Sequence, residues 1–333
     1  MKALCRDLNQ YRKFSVEEVE CPVPGPGQVL IRVAYAGVCG SDLHIYDGSD
    51  ADLPQAIHGH EFSGVVAEIG SGVENVSVGQ RVTAEHTYAT CGRCEHCMSG
   101  RYNLCKHRQS IGFDIQGAFA EFVVVDSKYV HILPDSVSLA WAALTEPLAC
   151  VYHFLRLSKL PPVGRVLVIG PGPMGYLAAA VMRTAGHDVY VIGTAKDELR
   201  LKVFRDNDFA VINEAEDSSF DAIFECSGSK GGVRSALAAA KRGGTILQLG
   251  IATEDISLPY GMLVYKELQI QGGFCHTHPS WEMAIAAMSL GTVSLEPIIT
   301  DIATIDDWDK TFDNLMNQNS LKVLFKFDWV EEE

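Results

Sequence analysis

Positive charge is scarce: 27 lysines and arginines stand against 42 aspartates and glutamates, a formal net charge of −15 over 333 residues. A nucleic-acid polyanion or an acidic membrane surface needs a basic patch, so neither is expected as a main partner. Long apolar runs are lacking too. The most apolar stretch, Val166–Met182, carries three glycines and two prolines and falls short of a membrane span. Met1-Lys2-Ala3-Leu4-Cys5-Arg6-Asp7 contains no apolar core of export-signal length. The 10 cysteines are too sparse for a disulfide scaffold, so free thiols and metal ligands in a cytoplasmic protein are the expected use. The rest is ordinary: 47% apolar and 21% charged residues suit a globular chain, and at about 100–200 residues per domain the length predicts two domains.

The two parts of the chain differ in texture. Residues 1–150 are turn-rich, with short β-branched runs at Val29–Tyr35, Val65–Ile69 and Phe122–Val125 bounded by Gly and Asp. From Val163 the pattern becomes strand–helix alternation. Apolar runs at Val166–Ile169, Val189–Ile192, Ala222–Cys226, Thr245–Leu249 and Leu268–Ile270 are separated by helical stretches such as Tyr176–Thr184 and Val233–Lys241. Buried strands spaced by helices predict a parallel sheet with both faces covered. After Phe274 the alternation ends, with a helix expected at Trp281–Ser289 and a closing strand at Lys322–Phe327.

Val166-Leu-Val-Ile-Gly170-Pro-Gly172-Pro-Met-Gly175 is a strand running into Gly-x-Gly-x-x-Gly and then a helix. That context converts a weak glycine triplet into a dinucleotide loop. Gly170 permits the tight turn, Gly172 lets backbone approach a pyrophosphate, and Gly175 allows close helix packing. An acid that would bind the ribose 2′-hydroxyl is missing where the second strand ends in Val191-Ile192-Gly193-Thr194. Asp197 lies slightly beyond, while Lys196 and Arg200 suit a 2′-phosphate, so NAD and NADP both remain open.

Cys91-Gly-Arg-Cys94-Glu-His-Cys97 followed by Cys105 places four thiols within a short lobe. Four thiolates with no open position describe a structural tetrahedral zinc. A second group of ligand types is dispersed over Cys39-Gly40-Ser41-Asp42-Leu43-His44 and His58-Gly59-His60-Glu61. Local spacing alone does not join those two segments.

Together these residues resemble the zinc-dependent medium-chain dehydrogenases/reductases, the alcohol and polyol dehydrogenases. The likeness runs through Pro24-Gly25-Pro26-Gly27, Cys39-Gly40-Ser41-Asp42, Gly59-His60-Glu61-x-x-Gly64, the four-cysteine lobe, Thr145-Glu146-Pro147-Leu148-Ala149 and the glycine loop. It implies an α/β protein: a GroES-like β-rich catalytic domain of residues 1–150 and 275–333, and a Rossmann doubly wound coenzyme domain of residues 151–274. It further implies two zinc ions per chain, one structural and one catalytic. By position, Cys39 and His60 resemble the catalytic zinc ligands, with Glu61 and Glu146 supplying carboxylate ligation or holding the water beside the metal. Ser41 and His44 resemble the family's proton relay. Met174 in the glycine loop, Thr194, Leu249, Gly250 and Ile251 at the end of the Thr245–Leu249 run, and Gly273 with Phe274 fall where the family holds its coenzyme.

Glu146, where the alcohol dehydrogenases usually carry Cys, is similar to the sorbitol dehydrogenase branch. The expected reaction is hydride transfer between a secondary alcohol, a polyol or sugar-alcohol derivative, and a nicotinamide cofactor. That branch's Arg-Tyr pair after the last coenzyme strand is replaced by Gly273-Phe274-Cys275-His276, which leaves sorbitol itself in doubt. Tyr46, His276 and His278 are candidates for the pocket or for packing. An L-threonine 3-dehydrogenase-like enzyme is the alternative within the class, because Cys39-Gly-Ser-Asp-Leu-His44-Ile-Tyr46 is similar to its relay segment. A catalytically silent redox or ligand sensor is the alternative outside it. The resemblance implies a homodimer or homotetramer. Cys39→Ala is expected to abolish turnover, whereas Cys94→Ala mainly lowers stability. Steady-state rates and thermal melts of both variants check this, and a fully active Cys39 variant overturns it.

Overall fold

The structure, a computed structural model, describes residues 1–10, 12–48, 53, 56–252 and 254–331. Its second part is the expected parallel sheet. Arg165–Ile169 lies in the middle, Asp188–Ile192 and Ala210–Val211 follow on one side, and Phe220–Glu225, Ala240–Gln248 and Gln269–Gly272 follow on the other. This is the doubly wound order, and it leaves a crevice where the first and fourth strands diverge. Strand periodicity explains the double coverage. Val166 and Val168 point into the core shared with the Pro173–Thr184 helix, while Leu167 and Ile169 point into the opposite core with Ile223, Leu237 and Ile246.

Several helix boundaries differ from the sequence expectation: the helices expected from Tyr176 and Trp281 begin at Pro173 and His278. The helix expected at Val233–Lys241 is observed at Lys230–Ala239, opened by Ser229, whose Oγ accepts the Gly232 N–H at 3.0 Å. Ala240 and Lys241 already belong to the next strand, because Ala240 pairs with Phe220 across the sheet. Strand pairing there overrides the local helical preference of alanine and lysine.

The first part is built on Gln28–Gly37, a ten-residue strand buried along nearly its whole length. It pairs antiparallel with Glu61–Ile69, with Phe122–Asp126 and with Lys322–Lys326. The last of these comes from the far end of the chain, so the C-terminal segment returns to complete the first sheet. The registers set Gly37 opposite both Glu61 and Leu324. Three helices that periodicity did not disclose frame the junction: Gly40–Asp47, Thr145–Leu157 and Trp308–Met316. Thr145–Leu157 packs against both Pro173–Thr184 and His278–Ser289, so its N-terminal turn is held rigidly at the boundary between the two sheets. Among the described residues, no helix is long and apolar enough to cross a membrane.

Candidate active site

The four-cysteine lobe closes on itself. Cys94 and Cys97 sulfurs lie 3.5 Å apart, Cys91 and Cys105 3.6 Å, and Cys91 and Cys97 3.9 Å. Those gaps far exceed a disulfide bond of about 2.05 Å. They match the roughly 3.8 Å sulfur spacing that tetrahedral zinc with bonds of about 2.3 Å imposes. Cys94 caps the short Glu95–Met98 helix, its sulfur accepting the Cys97 N–H at 3.5 Å. Backbone N–H groups of Arg93 and Cys94 pull the Cys91 thiol down to about 6, while desolvation and the neighbouring thiols push Cys97 up to about 11. Four sulfurs this close compete for negative charge unless a cation shares it, so the lobe fits a zinc ion.

The dispersed group also comes together. Cys39 stands at the start of the Gly40–Asp47 helix and His60 and Glu61 open the Glu61–Ile69 strand, with donor atoms of all three within 4.8 Å of one another. Asp42, buried in the first helical turn, accepts the Cys39 N–H at 2.8 Å with one oxygen. Its other oxygen lies 3.9 Å from His60 Nδ1. A carboxylate behind an imidazole that faces a metal is the arrangement that orients such ligands. Burial alone would lower the His60 pKa, but the Cys39 thiol and the Asp42 carboxylate outweigh it and raise it to about 10. A thiol and an imidazole that jointly attract positive charge in a dry pocket fit a divalent metal.

Glu61 has a partner that the sequence did not disclose. Lys322 Nζ donates to both of its carboxylate oxygens, at 2.9 and 2.8 Å, and to the Val38 carbonyl at 2.9 Å. All three ammonium protons are thereby used inside the core. Strand register explains the meeting, since Gly37 lies beside both Glu61 and Leu324, two residues after Lys322. A Cβ on Gly37 would collide with the Glu61 carboxylate, so only glycine leaves room for the pair.

Glu146 lies in the first turn of the Thr145–Leu157 helix, where the dipole favours an acid. Its Oε1 is 3.3 Å from His86 Nδ1, 3.7 Å from His276 Nε2 and 3.4 Å from the Cys150 sulfur. Burial would raise the Glu146 pKa, but His86, His276 and His60 hold it far below the usual carboxylate range. Arg108 donates to His86 Nε2 at 2.6 Å, so that nitrogen is the acceptor and Nδ1 carries the proton. His86 is therefore a neutral donor towards Glu146 and His276 rather than a metal ligand, and burial with the Arg108 charge keeps its pKa near 3. A third cluster, Glu85 with His131 and His278, is likewise no shared metal site: the two rings stack at 28° with centroids 4.8 Å apart, so both planes cannot contain one ion.

Of the relay candidates, Ser41 Oγ is buried with no hydrogen-bond partner among the described residues, and His44 is exposed on the same helix. Of the three pocket candidates, His276 is in the pocket. Tyr46 instead packs on Phe14, Trp308 and Phe312, and His278 is half-exposed beside Glu85. Asp42, His86 and Lys322 are the site residues that sequence reasoning missed. The acid beside Cys39 in the motif was the one signal that pointed to any of them.

In the coenzyme crevice Gly170 has φ +99°, and a Cβ there would meet the Ser227 backbone. A Cβ on Gly175 would strike the Gly170 carbonyl, whereas Gly172 faces open space. Pro173 then opens the helix, with Met174 beside it. Buried Glu225 ties the neighbouring loops: its carboxylate accepts the Ser227 N–H at 3.1 Å, the Gly228 N–H at 3.0 Å and Gln248 Nε2 at 2.6 Å, and its carbonyl accepts the N–H groups of Leu249 and Gly250 at 2.8 Å. Ile251 is left exposed on the rim. At the end of the second strand, Thr194 donates through its N–H and its Oγ1 to Asp197 Oδ2, both at 2.8 Å. Asp197 thus caps its own turn, Lys196 is exposed, and Arg200 Nε is buried without a hydrogen-bond partner among the described residues. Gly273 packs against the Phe154 ring, and Phe274, half-exposed, accepts from Asn103 Nδ2 at 2.7 Å through its carbonyl.

The alcohol dehydrogenase GroES-like domain family matches residues 25–135, and the zinc-binding dehydrogenase family matches residues 173–289. This chain belongs to the zinc-dependent medium-chain dehydrogenases. It is 36% identical to a sorbitol dehydrogenase of Halalkalibacterium halodurans, over 97% of this chain and 98% of that one. It is 32% identical to a D-arabitol-phosphate dehydrogenase of Enterococcus avium, over 98% and 97%. The structure superposes on a zinc-binding dehydrogenase of Sinorhizobium meliloti solved with NADP, with a TM-score of 0.89 and 28% identity over 98% and 99% of the two chains. The dehydrogenase is an oxidoreductase of CH–OH groups that uses zinc and a nicotinamide cofactor, and its fold is the GroES-like and Rossmann pair.

Removing one partner of a buried ion pair strands the other charge, which costs about 3–5 kcal/mol. Lys322→Met is therefore expected to destabilise the enzyme by about that much, and adding Glu61→Leu to recover most of the loss. Denaturant unfolding of the two variants measures this; a single variant as stable as the parent would show that the pair carries no weight.

Proposed function

We propose that this dehydrogenase oxidises the secondary hydroxyl of a polyol or sugar-alcohol derivative, prefers NADP⁺ to NAD⁺, and holds two zinc ions per chain. The observation that carries the reading is the position of Glu146, within hydrogen-bonding range of His86 and electrostatically coupled to His60 across one buried pocket. In this reading Cys39, His60 and Glu146 hold the catalytic zinc, Glu61 stands behind it on Lys322, and Cys91, Cys94, Cys97 and Cys105 hold the structural ion. The names of the sorbitol and arabitol-phosphate relatives support a polyol.

When bound, zinc supplies a Lewis acid that eases removal of the hydroxyl proton, and the nicotinamide accepts the hydride. The chain's own residues do the positioning. Asp42 fixes the His60 ring, and neutral His86 fixes the Glu146 carboxylate. The proton leaves by Ser41 Oγ, buried and otherwise unpartnered, and then by His44 on the solvent side of the same helix. Gly172 leaves room for the pyrophosphate at the N-terminus of the Pro173–Thr184 helix.

The coenzyme preference rests on the second strand's end. Asp197 spends an oxygen on Thr194, no acid stands at the strand terminus, and Arg200 Nε has no hydrogen-bond partner among the described residues, with the Asp197 charge nearby. A 2′-phosphate suits that surface better than a bare hydroxyl. We assign residues 1–150 and 275–333 to the catalytic unit and residues 151–274 to the coenzyme unit. Free thiols throughout the described chain support a reducing, cytoplasmic setting. Exposed Tyr260, Val264, Tyr265 and Ile270 beside the open edge strand Gln269–Gly272 support self-association into a homo-oligomer.

Initial rates of nicotinamide reduction across polyols, sugar-alcohol phosphates, simple secondary alcohols and threonine, with each coenzyme and on protein of known zinc content, test the proposal. Turnover on the polyol class with NADP⁺ ahead of NAD⁺ is expected. Arg200→Ala should raise KM for NADP⁺ about tenfold, the worth of one lost charge-assisted hydrogen bond, and leave KM for NAD⁺ close to its parent value. Turnover confined to threonine, or none on zinc-loaded protein, overturns it.

A further inference from the structure

Arg108 sets the tautomer of His86, yet its own charge has no counter-ion among the described residues. It follows Cys105 of the zinc lobe by three residues and is half-buried. Its Nε donates to Thr87 Oγ1 at 3.1 Å, and its Nη2 donates to His86 Nε2 at 2.6 Å. The guanidinium lies 5.9 Å from the centre of the Phe274 ring, and its charge reaches the Cys275 thiol. The same thiol feels the charges of Glu146 and Cys39. Arg108 is thus one imidazole ring away from Glu146, on the wall formed by His86, Phe274 and Cys275.

None of its partners is an anion. Among the described residues no carboxylate forms an ion pair with Arg108, in a chain carrying 42 acids. Other cations here do have one: buried Lys322 has Glu61, and exposed Arg205 has Glu198. A half-buried guanidinium without a counter-charge is well placed to take an anion brought to it. Two neutral groups, Thr87 Oγ1 and His86 Nε2, fix its orientation and leave part of the planar fork unused, the arrangement suited to bidentate capture of a carboxylate or phosphate.

We infer that Arg108 is a specificity-determining residue that holds an anionic group of the substrate, so the alcohol oxidised carries a phosphate or a carboxylate. The inference rests on the reading of the Cys39, His60 and Glu146 pocket as the site of alcohol oxidation. The reacting hydroxyl lies at that end, and the anion lies at the Arg108 end beyond His86. Phe274 and Cys275 supply the less polar side of the same wall. Rigid tethers on Nε and Nη2 mean that the charge is in place before the substrate arrives, which lowers the ordering cost of binding.

The test compares kcat/KM for neutral pentitols and hexitols with that for their monophosphates and for the corresponding aldonates, on the zinc-loaded enzyme. The parent enzyme should favour one anionic series over the neutral polyols by about a hundredfold, with the phosphate and carboxylate arms identifying which. Arg108→Gln should collapse that anionic-to-neutral ratio to within a few-fold of unity, chiefly through KM, and Arg108→Lys should restore part of it. Inorganic phosphate should inhibit the parent competitively against the alcohol and lose that effect in Arg108→Gln. A parent that favours neutral polyols over both anionic series overturns the inference while leaving the proposed function intact. So does an Arg108→Gln variant whose rates on neutral and anionic substrates fall by the same factor, the sign of a purely structural tether. Failure to oxidise any polyol, charged or neutral, brings down the underlying reading instead.

Discussion

Negative charge withdrawn from water is the constraint around which this enzyme is organised. Asp42, Glu61, Glu85, Glu146 and Glu225 are all buried, and each must be met by donors or cations because a lone carboxylate in the interior is prohibitively costly. The solutions differ. Glu61 takes Lys322, and Asp42 takes the Cys39 N–H. Glu85 takes the Tyr102 hydroxyl at 2.6 Å together with a ring of histidines. Glu225 takes the backbone of its own turn. Glu146 is answered differently: His86 and His276 face it, the Cys150 thiol donates to it at 3.4 Å, and the charge of His60 reaches it across the pocket.

The same pairs tie the fold to the site. Lys322 belongs to the returning strand and Glu61 to the strand that carries His60, so their contact staples the chain's last segment to the catalytic pocket. Glu225 does the equivalent in the coenzyme sheet. Fixed at the end of a central strand, it holds the loops that follow the fourth and fifth strands against the glycine turn after the first. Buried charge therefore gives up some stability and returns placement, consistent with sites built on rigid supports. Arg108 shows the reverse case, a cation positioned by neutral groups and left without its anion.

Much of this organisation was legible because it is written in local patterns. Continuous apolar runs separated by helices pointed to a parallel sheet with two covered faces, and Gly170, Gly172 and Gly175 pointed to a backbone that approaches phosphate closely. Four cysteines within one lobe pointed to a shared cation, because short spacing limits where their sulfurs can go. The boundary of the Lys230–Ala239 helix was not legible in the same way. Alanine and lysine favour helix, and only the pairing of Ala240 with Phe220 draws them into the strand.

The sequence by itself determined the two-part architecture, the glycine loop and the four-cysteine lobe, and through resemblance pointed to Cys39, His60, Glu61 and Glu146 as candidates for one site. Tertiary structure alone decided that Lys322 neutralises Glu61, that His86 orients Glu146, that Asp197 is spent on Thr194, and that Tyr46 belongs to the core while His276 belongs to the pocket. The physical reason is range. Helix and strand periodicity, turns and close-spaced ligands are set by neighbours along the chain, whereas a buried charge is answered by whichever group the sheet register brings beside it. For Glu61 that group comes from 261 residues away.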